Sequence, residues 1–344
     1  MSAPATTASI ATIVAVLFGG PAPAAAQTTA PRWDPDWQPP RTAWGHPDLQ
    51  GNWTNATITP LERPASVDGL VLSREEVQTR EQRVVDRVVA GSQPSDPDRP
   101  PPEVADDPGT YNQVWFDTGS RVAIVDGEAR SSIITSTANG RRPPLTPEGQ
   151  RRQEERRALD SRFADSDNPE NRTLADRCLV SFGNHGGPPM TPNYGYNANY
   201  TIVQAPDHVM IHTEMVHDTR VIRLGEPDPL PEHIRPWFGD SWGRWEGNTL
   251  VIETTKINPL QTYYGIDPSP DMKVTERLTR VDEETILYEF TVDDPTTYTE
   301  PWGGELPFLR LDDQLYEYNC HEGNYAMTGI LSGARYQERQ SAGN

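Results

Sequence analysis

From Tyr200 to the C-terminus, apolar and polar positions alternate with a period of two. The runs "YTIVQAPDHVMIHTEM", "TRVIRL", "NTLVIETTKI", "MKVTERLTRV", "TILYEFTV" and "QLYEYNC" are each of strand length, or two strands long, and turn residues separate them. "APDH", "EGN" and "VDEET" read as hairpin connections. Consecutive short strands with no helix between them predict a mainly β fold: an antiparallel, lipocalin-like barrel or sandwich in the C-terminal half. The N-terminal half has other rhythms. Residues 31–64 are rich in Trp and Pro and predict an extended arm with one short strand near Leu49–Asn55. "SREEVQTREQRVVDRVVA" opens with a capping box, Ser73 and Glu76, and continues as a polar helix to Ala90. A Pro/Asp loop follows at 91–109, then strand-like pieces at Gln113–Asp117 and Ser131–Thr135. A second helix, near 146–163, starts with Thr146 as N-cap, Pro147 at the first helical position and Glu148 in the first turn. These elements divide the chain into residues 1–26, an arm-and-helix region at 27–110, and a barrel-like domain at 111–344 with that second helix inserted. The helices and extended segments of the N-terminal half are expected to wrap on the barrel.

The first 26 residues change the picture. Ile10–Gly20, "IATIVAVLFGG", is an apolar run of signal-peptide length, and "PAPAAAQ" supplies small residues for cleavage after Ala26. No Lys or Arg precedes Arg32. Periplasmic or secreted localisation is therefore expected, with no membrane span, since no other stretch approaches the roughly 18 apolar residues a span needs. The net charge of −20 repels phosphate backbones and disfavours nucleic acid as a partner. Thirty-four prolines predict many turns and long ordered loops. Cys178 and Cys320, the only cysteines, form a natural disulfide pair in an exported chain and would close a loop of more than 140 residues. The alternative for Cys320 is a thiolate nucleophile, which needs a reducing compartment.

Several longer stretches carry a resemblance. "PDLQGNW", "LTPEGQ", "DRC", "DSWGRWEGNTLVIETT", "ERLTRVDEETILYEFTVDDPTTYTEPW" and "YEYNCHEGNYAMTGILSGAR" are similar to a family of uncharacterised exported bacterial proteins from many environments. The similarity spans most of the chain after residue 26. It implies export and a site shared across the family, and it names no substrate. The strand rhythm also resembles lipocalin-like domains, including bacterial carotenoid hydratase relatives, in fold alone.

Strand parity picks out the candidate chemistry. In "MKVTERL", Met272, Val274, Glu276 and Leu278 share the apolar face, so Glu276 points inward and needs a partner or a proton. In "TRVIRL" the inward set is Arg220, Ile222 and Leu224, which makes Arg220 the candidate partner. The pair is either a buried structural ion pair or a substrate-orienting, pKa-tuned one. In "HVMIHTEMVHDTR", His212, Glu214 and His217 have acid–base or metal-like spacing, although the helical HExxH spacing is absent. A regular strand puts Val209, Ile211, Thr213 and Met215 inward and leaves Glu214 solvated, while a bend near Val216 would turn His217 inward. In "YNCHEGNY" the last strand is expected to end at Gly323, with His321 on a barrel rim beside the disulfide and Glu322 and Asn324 at the turn. The disulfide would bring the His185 loop, "FGNHGGPPM", to the same place. Trp245, in "GRWEGN", joins the expected substrate-binding set.

Together these residues predict an enzyme of cofactor-independent lyase, hydratase, isomerase, cyclase or hydrolase type. His217, His321, Glu276 and Glu214 would act as acid–base groups. Arg220, Glu322, Asn324, His185 and Trp245 would bind a small organic substrate. No metal or redox cofactor is expected, since no nucleotide loop, nucleophile elbow or dense Cys/His spacing occurs. The alternatives are a lipocalin-like binding protein for a small apolar or glycan ligand and a structural exported protein. The sharpest expectation is that His217 and His321 share one solvent-accessible cleft, with Arg220 and Glu276 deeper inside it.

Overall fold

A computed structural model describes residues 32–94, 98, 119–181, 183–192, 195–261 and 267–342. The expected signal peptide, most of the Pro/Asp loop and the expected strand Gln113–Asp117 lie outside the described residues. The fold is mainly β. Strands β1 (Gly51–Thr54), β4 (Asn199–Gln204), β5 (His208–Thr213), β6 (Thr219–Leu224), β7 (Asp240–Glu246), β8 (Thr249–Thr255), β9 (Lys273–Arg280), β10 (Thr285–Asp293) and β11 (Trp302–Arg310) close into one barrel. Its order is β1-β11-β10-β9-β8-β7-β6-β5-β4, with β4 returning to β1. A small ribbon of β2 (Ile124–Val125) and β3 (Glu128–Ala129) lies apart from it.

The strand number has a geometric consequence. Strand direction can alternate all the way round a ring only when the number of strands is even. Nine strands therefore require one parallel neighbour pair, and β6 with β7 is that pair, in register through Arg223↔Trp242 and Leu224↔Gly243. A two-residue hairpin cannot join parallel strands. The proline-rich segment Gly225–Gly239 makes this crossover. The expected hairpins are all present: 205–207 joins β4 to β5, Gly247–Asn248 joins β7 to β8, and 281–284 joins β9 to β10. Gly247 has φ +62, a left-handed conformation that a tight hairpin needs and glycine adopts without a Cβ penalty.

Parity holds along the wall. Val209, Ile211, Ile222, Val274, Leu278, Tyr288 and Phe308 all point inward and are buried in one core cluster. Each such side chain contributes about 1.5–3 kcal/mol by leaving water. The expected short strand of the N-terminal arm is β1, which closes the ring between β4 and β11. It reaches only Arg310 and Leu309 of β11. The other half of that edge is covered by the extended segment 133–136, through Thr135 N–H to Gly303 O (3.1 Å) and Glu305 N–H to Ile133 O (3.0 Å). A Cβ at Gly304 would overlap the Ile133 carbonyl, so glycine permits this contact.

Helix α1 (Arg74–Gly91) carries the expected Ser73/Glu76 capping box. Helix α2 (Pro147–Asp160) starts at the Thr146 cap. The expectation for "QLYEYNC" is overturned: 314–320 forms no strand, and α3 (Tyr325–Ala342) follows it. The ring is already closed on both sides of β1 and β11, so no free edge remains for a further strand. Asn324 Oδ1 accepts from Met327 N–H (3.4 Å) as a helix cap. Met327, Ile330, Leu331 and Ala334 then recur at helical spacing. Among the described residues, no helix is long and apolar enough to cross a membrane. Cys178 and Cys320 form the expected disulfide.

Candidate functional site

The register separates two ends of the barrel. At one end lie the short connections 205–207, 247–248 and 281–284. At the other lie the β5–β6 turn, the segments 256–272 and 294–301, the arrival of the β6–β7 crossover, and the chain entering β4. Arg220 is the second residue of β6, Ser241 the second of β7 and Thr254 the last but one of β8, so all three belong to this long-loop end.

Parity turns Arg220 and Glu276 into the barrel, where both are buried. Arg220 Nη1 donates to Glu276 Oε1 (3.0 Å) and Nη2 to Oε2 (2.5 Å), a two-pronged pair. Tyr288 OH donates to Glu276 Oε1 (2.7 Å). Arg220 Nη2 also reaches Thr254 Oγ1 (3.2 Å) and Ser241 Oγ (3.4 Å). Burial, then the neighbouring Glu276 charge, holds the Tyr288 phenol well above its usual range, so it remains a donor. Tyr288, Ser241 and Thr254 were not among the expected site residues. The signal for Tyr288 is the parity of "TILYEFTV", which places a polar tip among inward apolar residues.

The loop around His185 lies on this pair. Met190 N–H donates to Tyr288 OH (2.7 Å), and Gln261 Nε2 donates to Gly187 O (3.2 Å). Gly187, at φ +69, has no Cβ to crowd Arg220 Nη1, which would otherwise be 2.9 Å away. His185 is fully buried, and among the described residues its ring nitrogens meet no partner at hydrogen-bond geometry, although the Tyr196 backbone lies close enough to interact favourably. Burial lowers its pKa to about 4, so the ring is neutral near pH 7.

The β5–β6 turn is the strained element of the same end. Val216 has φ 58 and ψ 18, and His217 has φ 49. Left-handed backbone is costly for a β-branched residue, and two such residues in succession persist only where surrounding contacts hold them. Those contacts are visible. Met215 and Val216 are buried in the core. Glu214 Oε2 accepts from Asn199 Nδ2 (2.7 Å) and Oε1 from Tyr316 N–H (3.1 Å). Asp218 Oδ2 accepts from Ser181 N–H (3.3 Å). Two expectations are corrected here. Glu214 is buried and bonded, not solvated, because the turn begins after Thr213 and breaks strand parity. The bend near Val216 exists, but it turns His217 outward into solvent. Asp218, absent from the expected set, is buried, and desolvation pushes its pKa up to about 7. His212 bonds Thr219 Oγ1 through Nδ1 (2.9 Å); burial and then the nearby His217 lower its pKa.

The C-terminal segment returns to this end. Leu311 N–H bonds Asn52 O, and Tyr316 N–H bonds Glu214. The chain therefore runs back across the barrel before reaching Cys320. His321 and Glu322 are exposed beside the disulfide, in the turn that leads to α3 rather than at a strand end. Asn324 is occupied structurally, donating to Asp176 O (2.7 Å) as well as capping α3. The structure brings His217, Glu214, Arg220, Glu276 and His185 to one end, and Tyr316 links the His321 turn to it. Neither His217 nor His321 lines any of the three cavities described among these residues. Trp245 lies near the opposite, short-turn end, its ring 5.2 Å from that of His46. Among the described residues, no cluster of three or more His, Cys, Asp or Glu side chains is placed to hold a metal ion.

Comparison with known proteins adds no identity: no family model, no curated protein and no solved structure matches the chain.

Proposed function

We propose that the long-loop end is the active site of an exported enzyme that moves protons on a small organic substrate, by lyase, hydratase, isomerase, cyclase or hydrolase chemistry. One observation carries this reading: the turn Glu214–Asp218 presents an exposed imidazole on two consecutive left-handed residues, between two buried carboxyls. A loop that served only to join β5 to β6 would relax into an unstrained hairpin. Strain of this kind accumulates where a side chain is aimed. His217 is the solvent-facing acid–base group, since its exposed imidazole has one ring nitrogen to accept a proton and one to donate. Asp218, with its pKa near 7, is the second proton carrier. Arg220, Glu276 and Tyr288 form the rigid base beneath them. His321 and Glu322 belong to the outer rim, carried there by the disulfide.

Export to the periplasm or beyond the cell accords with the disulfide and with the apolar N-terminal run. The wall is lipocalin-like in being a closed, mostly antiparallel barrel. It departs from an eight-stranded up-and-down barrel in its ninth strand and its parallel pair. Its inward side chains pack on one another, which favours chemistry at the mouth over storage of an apolar ligand in the middle.

The test is solvent-deuterium exchange. The protein is incubated in heavy water with a library of small hydroxy acids, enones and keto acids, and mass spectrometry reads the uptake of deuterium. The expected result is exchange in one chemical class, removed by His217→Ala while the circular dichroism spectrum is kept. Exchange that survives His217→Ala, or none across the library, overturns the reading.

A further inference from the structure

The largest cavity described, about 950 Å3, lies between α2 and the segment 170–181. It is of the size small-molecule sites have. One part of its wall is apolar: Leu159, Phe163 and Leu260 are 53, 46 and 63% exposed. Another part is cationic, and two of its cations are held mainly by neutral acceptors. Arg152 donates to Thr297 Oγ1 (3.2 Å) and Pro268 O (2.8 Å). Arg156 donates to Pro259 O (3.2 Å), with the Asp267 carboxylate at 3.8 Å. Neutral acceptors fix the direction of a guanidinium without cancelling its charge. Arg177, on the same wall, has no side-chain partner among the described residues. Arg152 and Arg177 have no carboxylate within ion-pair distance among the described residues, and Arg156 has only the long contact to Asp267, in a chain of net charge −20.

We propose that this groove binds an amphipathic organic monoanion. A carboxylate head would lie on Arg152, Arg156 and Arg177, and its hydrocarbon body on Leu159, Phe163 and Leu260. Charge-assisted bonds to arginine give the head its orientation. Covering Leu159, Phe163 and Leu260 removes apolar surface from water. The acidic residues on the wall narrow the ligand class. Asp160, Asp165 and Glu170 line the groove as well, and Glu155 is taken up by Arg151. Those carboxylates repel a polyanion and leave room for a single negative charge. A neutral amphiphile would desolvate the guanidinium groups without replacing their water, which is costly. The site is independent of the acid–base reading, although the groove reaches Ser181, whose N–H holds Asp218.

Calorimetric titration of the full chain with sodium decanoate tests it. Decanoate should bind one per chain, with 1-decanol and decylamine at least about tenfold weaker, and inorganic tripolyphosphate should give no heat. Arg177→Gln should weaken decanoate about tenfold and leave decanol unchanged. Arg162→Gln makes the same charge change at an exposed position outside the groove and should have no effect. Phe163→Ser provides a second route, weakening decanoate and decanol together. Absence of decanoate binding, equal binding of decanol or decylamine, an unaffected Arg177→Gln variant, or an equal loss in Arg162→Gln would overturn the proposal.

Discussion

The two ends of the barrel close the same wall by different means. At the short-turn end, the N-terminal arm seals the opening mainly with neutral bonds. Leu49 N–H donates to Gln204 Oε1 (2.7 Å), Gln204 Nε2 to Pro47 O (3.0 Å), and Trp53 Nε1 to Leu49 O (2.9 Å). Two charges join this set: Arg280, which donates to the Asp48 carbonyl (2.9 Å), and Arg310, which with Arg280 lies over the Trp53 ring. At the long-loop end the buried groups are an ion pair, a carboxyl with pKa near 7 and a neutral histidine, under a turn with two left-handed residues. Closing a barrel requires only the first kind of seal. The second kind leaves charged and titratable groups out of water, which costs stability unless each is paired. The difference separates an end that completes the fold from an end that stores chemistry.

The largest effect should come from breaking the ion pair. Glu276→Ala leaves the Arg220 charge buried without its carboxylate and should cost about 3–5 kcal/mol in urea unfolding. Replacing both partners, Arg220→Met with Glu276→Leu, should recover most of that loss, since an apolar pair needs no counter-charge. An unchanged midpoint for Glu276→Ala would remove the distinction between the ends.

A smaller effect sharpens the comparison through pH. Burial raises Asp218 from 3.8 to about 7. Between those values the folded chain keeps a proton that the unfolded chain has released, so stability falls as pH rises through the window and stays lower above it. About three pKa units at about 1.4 kcal/mol each set a ceiling near 4 kcal/mol. Asp218→Asn cannot ionise and still accepts from Ser181 N–H. It should be more stable than the parent at pH 8 and indistinguishable from it near pH 4. His185 contributes with the opposite sign. Its pKa falls from 6.5 to about 4 in the fold, so its stabilisation is full above pH 6.5 and is lost as pH falls toward 4. In Asp218→Asn that acid-side loss should stand alone. A flat stability profile between pH 4 and 8 in both proteins would count against buried titration at this end.

The smallest effect belongs to the short-turn end. Gln204→Ala leaves the Leu49 N–H and the Pro47 carbonyl without partners, and should cost about 1–3 kcal/mol, the same at every pH from 4 to 8. A pH-dependent loss there would show that the two ends do not differ in kind.

Much of this molecule was legible from residue patterns. Parity in "MKVTERL" and "TRVIRL" turned Glu276 and Arg220 inward, and the fold joins them. The Ser73/Glu76 box and the Thr146–Pro147 start marked two helices. The two cysteines marked their own bond. Parity failed where strands end. Continued through "TEM", it put Glu214 in water, whereas Glu214 is buried; the bend expected near Val216 is present but turns His217 out instead of in. It also made a strand of "QLYEYNC", whose alternation is real but which meets no free edge.

Side-chain direction along a strand, a capped helix start and a glycine turn are set by a few neighbouring residues, so residue patterns alone marked most of the strands, their inward faces and the short hairpins; β11, "WGGELPFLR", was not among the expected runs, because its glycines and proline break the alternation. Three features came only with the tertiary structure: closure at nine strands with one parallel pair, the separation of Trp245 from His217, and the helix in place of a last strand. Each depends on which distant segments pair and whether an edge remains open. Pairing is a property of the whole ring, and no local alternation of residues records it.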